Sequence, residues 1–480
     1  MSYLAANAKQ AQFTCKRSEN VFVAIEKCLD NGLGICFVVD DDRRLVSKIT
    51  LDEIRGAILD GSAIKDTSLE RHLLGRDAAV QLGFNPLRND PSPDGEMVMP
   101  VVDGDGRLTD VLVDRSKQFV QVAKPDLSHR EFRAVLDAFV SSWISSKGTY
   151  IPKFEEEFAS FVGMSRGVAV SNGTVALHLA LLALGVGPGD EVIVPDLTFA
   201  ATINAVIYCG AVPIIVDVDE KTWTMSLAQV ERARTPRTKA IIPVHLYGRP
   251  AEIGPITAFA KQHGIYVVED CAEAHGTRYA GRTVGQFGDI SCFSFYANKI
   301  VTTGEGGMCL TDSAALATTI ATLRDHGMAP DRSFWHERVG YNYRMTNLQA
   351  AIGQSQLWRI DQTLARNKHL EERYHEHLRD IPGVTFPPPL AEEYESVVWL
   401  VCVQVPAQAR SRLIEAGRAA QIEMRPFFHS LSALPPYEKY ARPCPNSVAL
   451  SQTGINLPTS TAVDVHVMEK IAAIFRDVLC

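Results

Sequence analysis

The chain has 480 residues, 46% of them hydrophobic and 22% charged, with a formal net charge of -8. That balance excludes a disordered or fibrous chain and a strongly basic nucleic-acid surface, and the length predicts two or three domains. The first residues hold no long apolar core, and no apolar run is long enough to span a bilayer, so a cytoplasmic protein with no membrane partner is expected.

Residues 1–120 read differently from the rest. A short amphipathic helix is predicted at 21–30, a buried strand at 34–39, a turn at 40–42, a second strand at 44–49 and a helix at 51–60. After a polar stretch, 97–102 is again a strand, 103–106 a turn and 108–112 a strand. The strand-turn-strand unit thus recurs about 60 residues apart, an internal repeat. LGICFVVDDDRRLVSKITLDEIRGAI and MVMPVVDGDGRLTDVL resemble a tandem CBS module. Such pairs often grip a nucleotide ribose through Thr-x-x-Asp, but this chain has Thr50 and Glu53. Nucleotide binding and a purely structural or assembly role both stay open.

A linker near 122–128 leads into alternating strands and helices. Strands are predicted at 167–170, 191–194, 212–216, 240–243, 266–269 and 290–295, and helices at 174–184 and 200–208. Continuous apolar strands separated by helices predict an α/β domain, 125–365, whose mostly parallel sheet is covered on both faces. Residues 366–480, with candidate strands at 399–405 and 421–428, read as a smaller C-terminal subdomain. The ten cysteines show no CxxC pair and no zinc-like Cys/His spacing. They are expected to be reduced and mostly buried, with no metal.

Three local patterns carry chemistry. Ser171-Asn172-Gly173-Thr174 follows a strand and opens a helix, where free amides bind phosphate and Gly173 admits close backbone approach. The same residues also make an ordinary cap. Asp270 ends a predicted parallel strand, where ligands of open α/β sheets bind. A carboxylate there is costly to bury without a cation, and a protonated pyridine nitrogen is such a cation. Lys299 lies between an apolar strand and a turn holding Gly304, Gly306 and Gly307. A desolvated lysine becomes a nucleophile able to form a Schiff base. Ser294 could hydrogen-bond a phosphate, and Phe199 is an aromatic just after a strand. Together these supply partners for the phosphate, ring face, ring nitrogen and aldehyde of pyridoxal 5'-phosphate.

SNGTVALHLAL, GDEVIVPDLTFAATINA, PVHLYG, VVEDCAEAHG, FSFYANKIVTTGEGG and GYNYRMTNLQAAIG make residues 125–480 similar to the DegT/DnrJ/EryC1/StrS sugar aminotransferases, of pyridoxal-phosphate fold type I. The resemblance implies that Lys299 bears the cofactor and shuttles the proton. Asp270 would pair with the ring nitrogen, and Glu273, often Gln in relatives, would lie near the ring's phenolic oxygen. Phe199 would stack on the ring, and Gly173, Thr174 and Ser294 would hold the phosphate. Asn342 would reach the phosphate of a neighbouring subunit, making a homodimer the minimum unit. His245, Arg425 and His429 are candidates for the sugar-nucleotide site. The implied reaction moves an amino group from L-glutamate to C4 of GDP-4-keto-6-deoxy-D-mannose for surface polysaccharide. A dTDP- or UDP-linked keto-sugar is the alternative. A nucleotide-sensing protein with a non-catalytic domain is a further rival, disfavoured by the intact Lys299 and Asp270. Relatives that dehydrate carry His in place of Lys299. The N-terminal CBS-like module departs from the family pattern.

Overall fold

The computed structural model describes residues 2–3, 10–59, 97–114, 119–329 and 331–480. The chain divides into two compact units, 1–120 with 126–133, and 121–125 with 134–480.

The first unit contains Ser2–Tyr3 (β1), Thr14–Lys16 (β2), Ile35–Val39 (β3), Leu45–Thr50 (β4), Met97–Val102 (β5) and Leu108–Asp114 (β6). One sheet runs β2-β3-β4 and another β1-β6-β5. The two long hairpins close in the same way. Asp40 Oδ1 accepts the N–H groups of Asp42 and Arg44 at 3.0 and 2.8 Å. Asp103 Oδ1 accepts those of Asp105 and Arg107 at 2.9 and 2.8 Å. Arg43 and Gly106 take the equivalent left-handed positions, at φ 63° and 79°. The turns are also joined, by Leu45 N–H to the Gly106 carbonyl and Leu108 N–H to the Arg43 carbonyl, both 3.0 Å. The repeat read in the sequence is therefore a repeat of backbone geometry. Thr50 and Glu53 form a capping box on the helix Leu51–Leu59: Glu53 Oε2 accepts the Thr50 N–H and hydroxyl at 2.9 and 3.1 Å. The polar stretch between the hairpins, 60–96, lies outside the described residues.

The second unit is built on a seven-stranded sheet. Its strands are Arg166–Val170 (β7), Glu191–Pro195 (β8), Val212–Val216 (β9), Thr238–Ile241 (β10), Tyr266–Asp270 (β11), Ile290–Ser294 (β14) and Gly307–Thr311 (β15), with a small hairpin Arg278–Tyr279 (β12) and Arg282–Thr283 (β13) between. The spatial order is β7-β15-β14-β11-β10-β8-β9. All pairs are parallel except those of β15, which runs antiparallel to both β14 and β7. The sheet is thus mostly parallel, as expected, with β15 as its one reversed strand. The reason is the connection: 295–306 is a compact turn, and a parallel return would need a crossover helix. Every residue of β8, β14 and β15 is buried, so none alternates, as expected of strands covered on both faces. On one face the helix Gly173–Ala183 buries Ala176 to Leu181. Elsewhere Phe158 sits edge-on to Phe293 and Phe295, both 4.9 Å away between ring centroids.

The helix Ile360–Leu378 runs through the expected boundary at 366. Beyond it, Tyr394–Glu395 (β16) pairs with β12, and Val401–Gln404 (β17), Arg425–Pro426 (β18) and Gly454–Leu457 (β19) form an antiparallel sheet in the order β17-β19-β18. The strand expected at 421–428 shrinks to β18, because Gln421 is left-handed at φ 63° and Pro426 has no N–H to donate. Nine of the ten cysteines are buried and Cys480 is exposed; all are free thiols. Among the described residues no helix is long and apolar enough to cross a membrane.

Candidate active site

The carboxyl ends of β7, β8, β11 and β14 meet at one edge of the sheet, together with the start of the reversed β15. A cavity of about 890 Å³ opens there. Gly173, Thr174, Phe199, Asp270, Glu273, Ser294, Lys299 and Arg425, all picked from the sequence, line it. So do Thr198, Tyr296, Asn298, Trp399 and Phe428, which sequence reasoning missed.

Gly173 and Thr174 form the first turn of the helix Gly173–Ala183, where backbone N–H groups have no intrahelical partner. The Asn172 side chain caps only the third, accepting from Val175 N–H at 3.0 Å. A Cβ on Gly173 would lie 2.8 Å from the Ser294 Cβ, so only glycine lets the helix start sit this close to β14. Gly307 opposite Ser294 is held small in the same way, since a Cβ there would lie 2.6 Å from the Asn172 carbonyl carbon. The result is a pocket of backbone N–H groups and one hydroxyl, suited to an anion.

Asp270 is 5% exposed. Its Oδ2 accepts the Thr202 hydroxyl at 2.8 Å and its Oδ1 the Ala272 N–H at 3.2 Å. Thr202 in turn lies 3.1 Å from the Thr198 hydroxyl. Burial pushes the Asp270 carboxyl above its ordinary value, and the Thr202 and Ala272 bonds only partly offset it. The group is a carboxylate in want of a cation.

Lys299 follows a turn closed by its own N–H to the Tyr296 carbonyl, 2.9 Å. Its side chain is 10% exposed, and Nζ stands 3.3 Å from Glu273 Oε1 and 3.7 Å above the centroid of the Trp399 ring. Glu273 Oε2 accepts the Tyr247 N–H at 2.9 Å. Burial raises the Glu273 carboxyl, and Lys299 beside it pulls the other way. Phe199 is 59% exposed, with Phe428 5.7 Å away between ring centroids. Arg425 is held by Glu423 at 2.7 Å, and Glu423 also accepts the Val122 N–H at 3.0 Å.

Three expected site residues lie outside this cavity lining. His245 is fully buried: its Nε2 meets Glu269 Oε2 at 3.1 Å and its Nδ1 accepts the Ala251 N–H at 3.1 Å. Burial would raise the Glu269 carboxyl, but His245 and the N–H groups of Gly285 and Gly288 hold it below its usual range. This is a saturated structural pair, so the sugar-nucleotide role expected of His245 is corrected to a role in the fold. His429 is exposed and outside the cavity lining, against the same expectation. Asn342 is also exposed and outside the lining, with Oδ1 accepting from Arg344 Nη2 at 2.9 Å. Thr202 and Tyr247 had no signal in the sequence, being unexceptional residues that act through Asp270 and Glu273.

Residues 125–476 match the DegT/DnrJ/EryC1/StrS aminotransferase family. The GDP-perosamine synthase of Caulobacter vibrioides is 43% identical over 364 residues, 75% of this chain and 98% of that one. A UDP-N-acetyl-3-dehydro-alpha-D-glucosamine 3-aminotransferase of Acidithiobacillus ferrooxidans is 51% identical over 199 residues, 41% of this chain and 53% of its own. The crystal structure of DesV from S. venezuelae with a ketimine intermediate superposes with a TM-score of 0.68 at 33% identity, covering 72% of this chain and 93% of that one.

The raised Asp270 carboxyl has a measurable consequence. In cofactor-free protein its ionised form opposes folding. That penalty is complete above the raised folded-state value and disappears as pH falls toward the ordinary carboxylate range. Asp270→Asn is therefore expected to raise the Tm of the cofactor-free protein by about 2–4 °C near pH 8, with a smaller gain near pH 5. A melting series at both pH values checks this, and no gain near pH 8 contradicts it.

Proposed function

The chain belongs to the DegT/DnrJ/EryC1/StrS aminotransferase family, as a pyridoxal-phosphate-dependent nucleotide-sugar aminotransferase, and on that premise we propose that it aminates C4 of GDP-4-keto-6-deoxy-D-mannose to GDP-perosamine. L-glutamate is the proposed donor. The observation that carries the reading is the buried pair of Asp270 and Lys299 in one cavity, supported by the similarity to GDP-perosamine synthase along almost the whole of that protein.

The residues present fit the cofactor. Asp270 is a buried carboxylate that a protonated ring nitrogen would neutralise, and Gly173 leaves room that a Cβ would fill. In this reading Gly173, Thr174 and Ser294 hold the phosphate, Phe199 lies against the ring and Glu273 faces the ring oxygen. The bound cofactor supplies an electron sink for charge developing at the substrate carbon. Lys299 would hold the cofactor's aldehyde end and, whenever its amine is free, would carry a proton at Nζ. Asp270 would keep the ring nitrogen protonated. Phe199, Tyr296 and Phe428 line the cavity with aromatic surface, and Arg425, held by Glu423, would meet the anionic substrate.

The 51% identity to the UDP-sugar 3-aminotransferase supports a second reading, the same chemistry on a UDP-linked keto-sugar. Added pyridoxal phosphate is expected to give a visible absorption band that L-glutamate bleaches, with Lys299→Ala losing turnover. A panel of GDP-, UDP- and dTDP-linked keto-sugars should then restore the band, fastest with the GDP 4-keto-sugar. Restoration by the UDP sugar alone selects the second reading, and a colourless protein rejects both.

A homodimer is part of the proposal, with Asn342 serving the neighbouring subunit's phosphate. The same loop exposes Phe334, Trp335 and Val339 at 88%, 51% and 88%, apolar surface that a second copy would cover. Lys299→Ala and Asn342→Ala dimers should each be impaired. Mixing and refolding them should recover activity, because a mixed dimer has one site with both residues intact. No recovery from proteins that do form mixed dimers would place Asn342 within its own subunit's site or outside catalysis.

For residues 1–120 the paired hairpins support a CBS-like module, and the use of Thr50 and Glu53 in a helix cap supports a structural role. Calorimetric titration of the full chain with ATP and AMP should then give no binding. Heat that disappears in Thr50→Ala would restore the nucleotide-binding alternative.

A further inference from the structure

Trp399 lines the same cavity as Lys299, yet none of the roles above employs it. Its indole is 5% exposed and is fixed by three contacts. The ring N–H donates to the carbonyl of Asn298, the residue before Lys299, at 2.7 Å. One face lies nearly parallel to Tyr247, at 17° and 6.0 Å between centroids. Tyr247 N–H is the group that fixes Glu273. The indole also carries Lys299 Nζ at 3.7 Å from its centroid, while Glu273 Oε1 is 3.3 Å from that nitrogen. The lysine ammonium therefore has two partners, a carboxylate and an aromatic face, and the two are tied to each other through Tyr247.

An amine that alternately forms and releases a bond has a particular need. When free, its flexible four-carbon stem must stay near the reacting carbon instead of sampling every rotamer. A carboxylate holds the ammonium from one side only, as Glu273 Oε1 does at 3.3 Å. An aromatic face adds a second point of contact, and the attraction is strongest where water is scarce, as at this 10% exposed side chain. A leucine could fill the same volume but would offer no negative face. The bond to Asn298 adds a backbone anchor at the base of the lysine.

We propose that Trp399 is a positioning residue for Lys299: its indole face docks the free ammonium, and its N–H on Asn298 keeps the lysine stem aimed into the cavity. The proposal rests on Lys299 being the amine that binds the cofactor and shuttles the proton.

The test compares full-length parent, Trp399→Phe and Trp399→Leu. Growth of the visible band on adding pyridoxal phosphate to cofactor-free protein reads capture without any turnover. Single-turnover bleaching by L-glutamate reads the shuttle, and circular dichroism reports folding. Trp399→Leu is expected to slow both rates about tenfold. Its KM for L-glutamate should stay within about twofold, because the role proposed for Trp399 is on the lysine and not on the substrate. Trp399→Phe keeps a face and should recover most of the loss. If Trp399→Leu does not fold, Trp399→Met against Trp399→Tyr makes the same comparison. Parental rates in Trp399→Leu overturn the proposal, and a Phe variant as slow as Leu overturns docking on the aromatic face, because Phe keeps a face and loses only the N–H on Asn298. A parent that gives no band, or a Lys299→Ala protein with a parental one, instead overturns the reading on which the proposal rests.

Discussion

The site is organised by the cost of placing charge where water does not reach. Asp270, Glu273 and Lys299 all sit in the cavity, and each side chain is at most a tenth exposed. Two carboxylates and one ammonium leave an excess of negative charge, and burial raises both acids. Such groups persist only when their surroundings over-determine them. Much of the nearby structure meets that condition. Thr198 and Thr202 stand in line behind Asp270, Tyr247 donates its N–H to Glu273, and Trp399 faces the lysine. A cofactor bringing a protonated ring nitrogen would relieve the imbalance, so the same charge excess would favour loading it.

The second constraint is closeness. The anion pocket exists because Gly173 and Gly307 let the helix start, β14 and β15 approach to distances no Cβ allows. That approach works only if β15 returns beside β14 and lies next to β7, so the reversed strand belongs to the site as much as to the sheet.

What could be read from the sequence follows from these facts. Gly173, Asp270, Ser294 and Lys299 sit at strand ends within short local words, and their chemistry shows in the residue type and its neighbours. The strands were legible for the same reason, with Val212–Val216 and the helix Val21–Asp30 found at their observed bounds. The direction of β15 was not legible, because a strand buried on both faces looks the same whichever way it runs. Trp399 and Thr202 were missed because they reach Lys299 and Asp270 from distant parts of the chain. His245 misled because a histidine after a strand end can turn into the sheet, as this one does toward Glu269, or out to the cavity.

The β14–β15 hairpin has one more effect. The ends of 295–306 are held together by the Ser294–Gly307 register, and the segment is cross-linked within by Phe295 N–H to Gly306 and Thr303 N–H to Phe295. Loop closure is therefore supplied by the sheet before any ligand arrives. A molecule that meets Lys299 has to order a few side chains, not a length of backbone, so little of its binding energy is diverted into entropy and more remains for affinity.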